Sequence, residues 1–88
     1  MTRIVLPSVW TRSGQGEFEA TEGLLDEVIM AFAAGNAEFR RRLLGPDGTP
    51  LTYFNVYLDD DPVPRHLRSS TVVGPGATVT IISPMAGG

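Results

Sequence analysis

The chain has no cysteine, no lysine and a single histidine. The missing cysteine excludes disulfides, thiolate metal sites and a cysteine nucleophile, and leaves the redox compartment unread. The missing lysine means that no side-chain amine here can accept an isopeptide bond. All seven basic residues are arginine, a pattern that codon bias alone would produce. Cations are outnumbered, with a net charge of −3. That balance argues against nucleic acid, whose binding rests on cations set against phosphate. No stretch approaches the roughly 20 apolar residues of a membrane span. The opening residues, Met1 to Pro7, lack the apolar run of a signal peptide. A cytoplasmic location is the expectation.

What is present suffices for one small domain. The 88 residues are 42% hydrophobic, enough for a core but not for two. Arg3 to Trp10 reads as a strand, with Pro7 removing one ladder donor inside it. Ser13-Gly14-Gln15-Gly16 is a turn, and Glu17 to Ala20 alternates like a second strand, so the two form a hairpin. Thr21 stands where a helix N-cap belongs. Leu24, Leu25, Val28, Ile29, Phe32 and Ala33 recur at helical spacing, and Gly35-Asn36 is a stop. Ala37 to Leu44 is a second, shorter helical stretch carrying Arg40-Arg41-Arg42.

After the turn Gly45 to Gly48, Tyr53 to Leu58 is the clearest strand. Asp59-Asp60-Asp61-Pro62 turns it back, and Val63 to Leu67 is expected to be a short further strand. Gly74-Pro75-Gly76 is another turn, and the β-branched Thr78 to Ile82 is the last strand. The order predicts a two-layer α+β fold: a mixed sheet with one main helix packed on one face. A hairpin that feeds a helix and then returns to the sheet is the β-grasp order. The folded domain is expected over residues 1–83, with an extended flexible tail over 84–88.

Side-chain chemistry offers little. His66 lies between Arg65 and Arg68 with no second histidine and no acidic ligand at metal spacing; it reads as a surface residue. Asp59 to Asp61 lacks the spaced ligands and closing glutamate of a calcium loop and reads as a solvated turn. Ser69-Ser70-Thr71 has no nucleophile elbow around it. Gly74-Pro75-Gly76 has no following helix to make it a phosphate loop. Arg40 to Arg42 suit a helix C-terminus on dipole grounds, and Arg40 and Arg41 are also candidates for partner docking.

The tail carries more. Pro84-Met85-Ala86-Gly87-Gly88 can extend about 17 Å, and its last two residues, without Cβ atoms, can thread a narrow channel. A carboxylate is a poor electrophile, because its leaving group would be oxide. Transfer of AMP from ATP onto it supplies a good leaving group, which a sulfur nucleophile can displace to leave a thiocarboxylate. No acid, base or metal of this chain is needed.

With the tail in view, the β-grasp order and "TVTIISPMAGG" resemble the ubiquitin-like sulfur carriers, the group that includes the thiamin sulfur carrier and the small subunit of molybdopterin synthase. The family's usual ending has two prolines before x-x-Gly-Gly; here Ser83-Pro84 replaces them. The stretch "RLLGPDGTPLTYFNVYLDDDPV" is similar to a CysO-type subgroup. The resemblance spans essentially the whole chain. It implies a protein co-substrate rather than an enzyme. An E1-like partner would use ATP to adenylate Gly88, Gly87 and Ala86 would thread the channel, and a sulfur-accepting biosynthetic enzyme would take the sulfur. No cofactor is expected on the carrier itself, which is expected to be a monomer when free. The sheet segment with Tyr53, Phe54, Val56 and Leu58 is the expected docking surface, alongside Arg40 and Arg41. Alternatives are a molybdopterin synthase small subunit, a ubiquitin-like modifier conjugated through Gly88, and a plain β-grasp binding module whose tail is irrelevant.

Overall fold

The computed structural model describes residues 2–11 and 16–83. Strand β1 (Thr2–Val5) pairs antiparallel with β2 (Glu17–Ala20). A two-residue strand, β3 (Gly23–Leu24), leads into α1 (Leu25–Gly35), and α2 (Ala37–Leu43) follows at once. Then come β4 (Asn55–Leu58), β5 (Asp61–Pro62), a 3-10 helix (Arg65–Ser70), β6 (Val72–Val73) and β7 (Thr78–Ile82). The main sheet has the order β2-β1-β7-β4-β5. The first and last strands run parallel at its centre, with antiparallel neighbours on either side. This mixed sheet with a helix across it is the β-grasp arrangement the sequence predicts.

One face of the sheet is covered. Ile4 of β1, Val56 of β4, and Val79 and Ile81 of β7 alternate inward, as the period of two requires. Against them lie Leu25, Val28, Ile29, Phe32 and Ala33 of α1. Phe18 of β2 joins the layers: its ring is 5.4 Å from both Phe32 and Phe39, which anchors α2 to α1 and to the sheet edge. Burial of a side chain the size of Phe39 or Leu43 contributes about 1.5–3 kcal/mol, so α2 is held by its two inward residues rather than by its seven-residue length.

Four local expectations are corrected. The strand expected over Arg3 to Trp10 stops at Val5, and Ser8–Trp10 forms a 3-10 turn. Pro7 cannot donate to a ladder; its carbonyl instead accepts from the Trp10 N–H at 3.0 Å, and the turn tucks Trp10 into the core. Thr21 is not the N-cap of α1. Leu24 holds that position, and the Leu25 N–H is satisfied by the Thr71 carbonyl at 2.8 Å. The reason is the small β3–β6 ladder, which brings Val72 and Val73 alongside the helix entry. The strand expected over Val63 to Leu67 is instead β5 at Asp61–Pro62 followed by the 3-10 helix. Pro62 and Pro64 supply no ladder donors on either side of Val63, which pairs once, to the Val56 carbonyl at 2.8 Å. Tyr53 and Phe54 precede β4 rather than belong to it.

The turns match their residues. Gly76 has φ of 80°, the left-handed region that favours glycine, and lets the chain re-enter the sheet. Asp59, at φ 55°, ties β4 to β7: its N–H donates to the Thr78 carbonyl and its carboxylate accepts from the Thr78 N–H. Asp47 accepts from the Thr49 hydroxyl and N–H, which holds its carboxyl below the usual range.

Candidate functional site

The candidate site is the end of the sheet at which the central strand β7 finishes. Register defines it. Asn55 faces Ile82 and Val5 faces Thr80, so the 3-10 turn after β1 and the residues before β4 both lie beside Ser83. Ser83 itself is buried, so the chain is gripped up to the last described residue. Gly88, Gly87 and Ala86, the expected reactive and threading residues, lie outside the described residues.

The expected docking segment divides by side. Phe54 and Val56 are buried, at 0% and 2% exposure, and Leu58 is packed against the core. A partner cannot touch Phe54 or Val56 without opening the fold, so their assignment to docking is corrected. Val56 points inward because every second residue of a strand shares a face, and Phe54, just before β4, is enclosed by Trp10, Tyr53 and Arg68. Tyr53 remains available at 41% exposure. Its hydroxyl donates to the Arg42 carbonyl at 3.2 Å and its ring meets Phe54 edge-on at 5.4 Å. Arg40 and Arg41 are exposed on α2. Arg42 lies over the Trp10 ring at 5.5 Å, and Trp10 in turn meets Phe54 edge-on at 6.5 Å.

Arg68 was missed by the sequence reading. It is 4% exposed, beneath Phe54, and its Nη2 donates to the Phe54 carbonyl at 2.7 Å. The Val56 carbonyl, two residues on, is taken by Val63. Carbonyls two apart on a strand point the same way, so Arg68 serves the edge carbonyl that β5 is too short to reach. Its guanidinium sits 5.4 Å from the Phe54 ring centroid, while Nε and Nη1 have no partner. Burial holds its pKa below the ordinary arginine value; nearby Arg65 pushes the same way and Asp26 opposes both. The bond to a charged donor stabilises by about 1.5–3 kcal/mol, and each orphaned donor costs a similar amount. Arg68→Met, which keeps the stem and drops the charge, is therefore expected to change stability by no more than about 1 kcal/mol in urea denaturation. Arg68→Ala, which also empties the space under Phe54, should cost at least about 2 kcal/mol.

Among the described residues the hydroxyl, histidine and carboxylate candidates do not come together. His66 is exposed on the 3-10 helix, and no metal-holding group of His, Asp and Glu occurs among the described residues. Asp59, Asp60 and Asp61 are exposed around the β4–β5 turn. No helix among the described residues is long and apolar enough to cross a membrane.

A covered β-grasp sheet of this order defines a ubiquitin-like scaffold. The chain belongs to the ThiS family, whose profile matches residues 10–88, and so to the ubiquitin-like sulfur carriers. Among solved structures it is similar to Mycobacterium tuberculosis CysO, with TM-score 0.75 and 24% identity over 94% of this chain and 98% of that one. A chain of the Amycolatopsis orientalis BexX/CysO complex matches over 100% of both chains, with TM-score 0.78 and 24% identity. SAMP1 from Haloferax volcanii matches at TM-score 0.74 and 14% identity, over 99% of this chain and 98% of that one. At these identities the structural likenesses establish the fold, which is of the CysO type. No curated protein is significantly similar in sequence.

Proposed function

We propose that this protein carries sulfur as a thiocarboxylate on Gly88. Family membership supports the reading most directly. The geometry agrees with it, because β7 is the central strand of the sheet, paired with β1 through Thr80 and with β4 through Ile82. An E1-like enzyme supplies ATP. The Gly88 carboxylate attacks the α-phosphorus, pyrophosphate leaves, and an acyl-adenylate forms. Hydrosulfide then attacks the acyl carbon and AMP departs. The thiocarboxylate so formed donates sulfur to a biosynthetic enzyme, in a route to cysteine or another sulfur-containing metabolite. Residues 84–88 are the arm and the preceding domain is the handle. The carrier is consumed and regenerated without catalysing a step, and it works in the cytoplasm.

The test is the intact mass of the purified protein before and after incubation with ATP, sulfide and an E1-like enzyme of its host. The expected result is a gain equal to one exchange of oxygen for sulfur, confined to the terminal peptide. Absence of both the gain and the adenylate with every such enzyme of the host would overturn the proposal.

A further inference from the structure

The main sheet has an open edge. β2 is its outermost strand, and among the described residues no strand pairs on the side away from β1. Register fixes what that side offers. The Leu6 N–H donates to the Gly16 carbonyl at 2.7 Å, while the Arg3 N–H turns the other way, to the Ala77 carbonyl at 3.0 Å. Antiparallel pairs alternate between exchanging backbone bonds and not exchanging them. Gly16, Phe18 and Ala20 therefore aim their backbone groups at β1. Glu19, opposite Arg3, aims its N–H and carbonyl outward.

Side chains alternate in the perpendicular direction. Phe18 and Ala20 pack towards the core, and Glu17 and Glu19 are exposed on the open face. Arg3 stands opposite Glu19, yet its Nη1 goes to Glu17 at 3.1 Å. The Glu19 carboxylate has no ion pair or hydrogen bond among the described residues. Beside this edge a groove of about 260 Å³ opens between β2 and α1, lined by Glu19, Ala20, Thr21, Ala31, Phe32 and Asn36. Ala20 faces Thr2, and Arg3 faces Thr78, so the groove lies towards the start of β7, opposite the end at which β7 finishes.

We infer that β2 takes up an extended segment of a partner protein as a sixth strand, one in which cations alternate with small apolar residues. An open strand edge is a template for such addition, with main-chain bonds giving affinity and alternate side chains giving specificity. On the α1 side the incoming apolar side chains enter the groove over Ala20, Ala31 and Phe32. On the open face the incoming cations lie beside Glu19 and give it the partner that Arg3 gives to Glu17. The same charges turn away a second copy, because β2 laid against its twin sets glutamates against glutamates. The pairing uses nothing of the Gly88 chemistry.

The experiment titrates the isotope-labelled full-length protein with the capped peptide Lys-Val-Lys-Val-Lys-Val at low salt. Backbone amide resonances and hydrogen exchange are followed by NMR. Shifts are expected along β2 and the second half of α1, with exchange of the Glu19 N–H slowed about tenfold or more at saturation. Glu19→Lys is expected to weaken this peptide about tenfold and to strengthen Glu-Val-Glu-Val-Glu-Val. Glu19 is exposed, so the variant leaves the core intact. A residue paired with Glu19 shares its face, so the lysine amides point at β2 and the valine amides away. N-methylation of the lysine amides should abolish binding, and N-methylation of the valine amides should leave it unchanged. No binding, equal affinity for both peptides in the wild type, shifts centred on another face, or binding that survives lysine N-methylation overturns the inference. So does a free protein that already dimerises through β2.

Discussion

Deleting Gly88 is expected to abolish the mass gain on incubation with ATP, sulfide and the activating enzyme, while leaving the fold and its thermal midpoint unchanged. The two halves of that result come from different parts of the molecule. The described core runs to Ser83, which is already buried, and a glycine has no side chain to remove from it. On the proposed carrier reading the chemistry resides in the Gly88 carboxylate, on an arm that can extend about 17 Å. A chain one residue shorter delivers its carboxylate about 3.4 Å short of the α-phosphate, and in-line attack does not tolerate that displacement. Gly88→Ala is the finer instrument. It keeps the length and the carboxylate and adds one methyl group next to the reacting carbon, so the rate of adenylation should fall about 100-fold or more. Wild-type mass gain in the deletion would place the chemistry elsewhere. Loss of activity together with a lowered midpoint would mean that the tail is structural.

The parts of this fold that were legible in the sequence are those with a long period. Thr78 to Ile82 reads as a strand by its β-branched run and is one, residue for residue. The stripe from Leu24 to Ala33 reads as a helix face, and all of it but Leu24, which stands before the helix as its N-cap, is buried in α1. Short elements escaped because two residues carry no period: nothing in Gly23-Leu24 or Val72-Val73 announces that they pair, and without that ladder Thr21 looked like the cap. Val63 to Leu67 does not form a strand because Pro62 and Pro64 remove two ladder donors. Nothing in the sequence around Arg68 marks it as buried. Its burial follows from a carbonyl left over at a sheet edge, and such a vacancy exists only once the strands are assembled. The docking segment shows the same limit. Alternation separates Phe54 and Val56 from Tyr53 and Tyr57, but it does not say which set faces α1.

That division sets up the second large effect. Phe54→Ala is expected to destabilise the protein by about 3–5 kcal/mol. Its side chain is fully buried and touches Trp10, Tyr53 and Arg68. Truncation leaves a void against Trp10 and removes the ring that shields the guanidinium of Arg68. A domain of this length has roughly 4–13 kcal/mol in total, so the loss takes a large share and should lower the thermal midpoint by about 15 °C or more. Tyr53→Ala, its neighbour, is the contrast. Tyr53 is partly exposed and gives up one hydrogen bond to the Arg42 carbonyl, worth about 1 kcal/mol, with a midpoint shift to match. Below its midpoint Phe54→Ala should still be adenylated with a half-saturating concentration near wild type, because its buried ring offers a partner no surface. If Phe54→Ala kept wild-type stability and lost partner binding, Phe54 would be a contact residue after all and the packing of this end of the sheet would be wrong. Two adjacent aromatic residues thus contribute unequally, the inward one holding this end of the sheet in place and the outward one adding a single hydrogen bond at its surface.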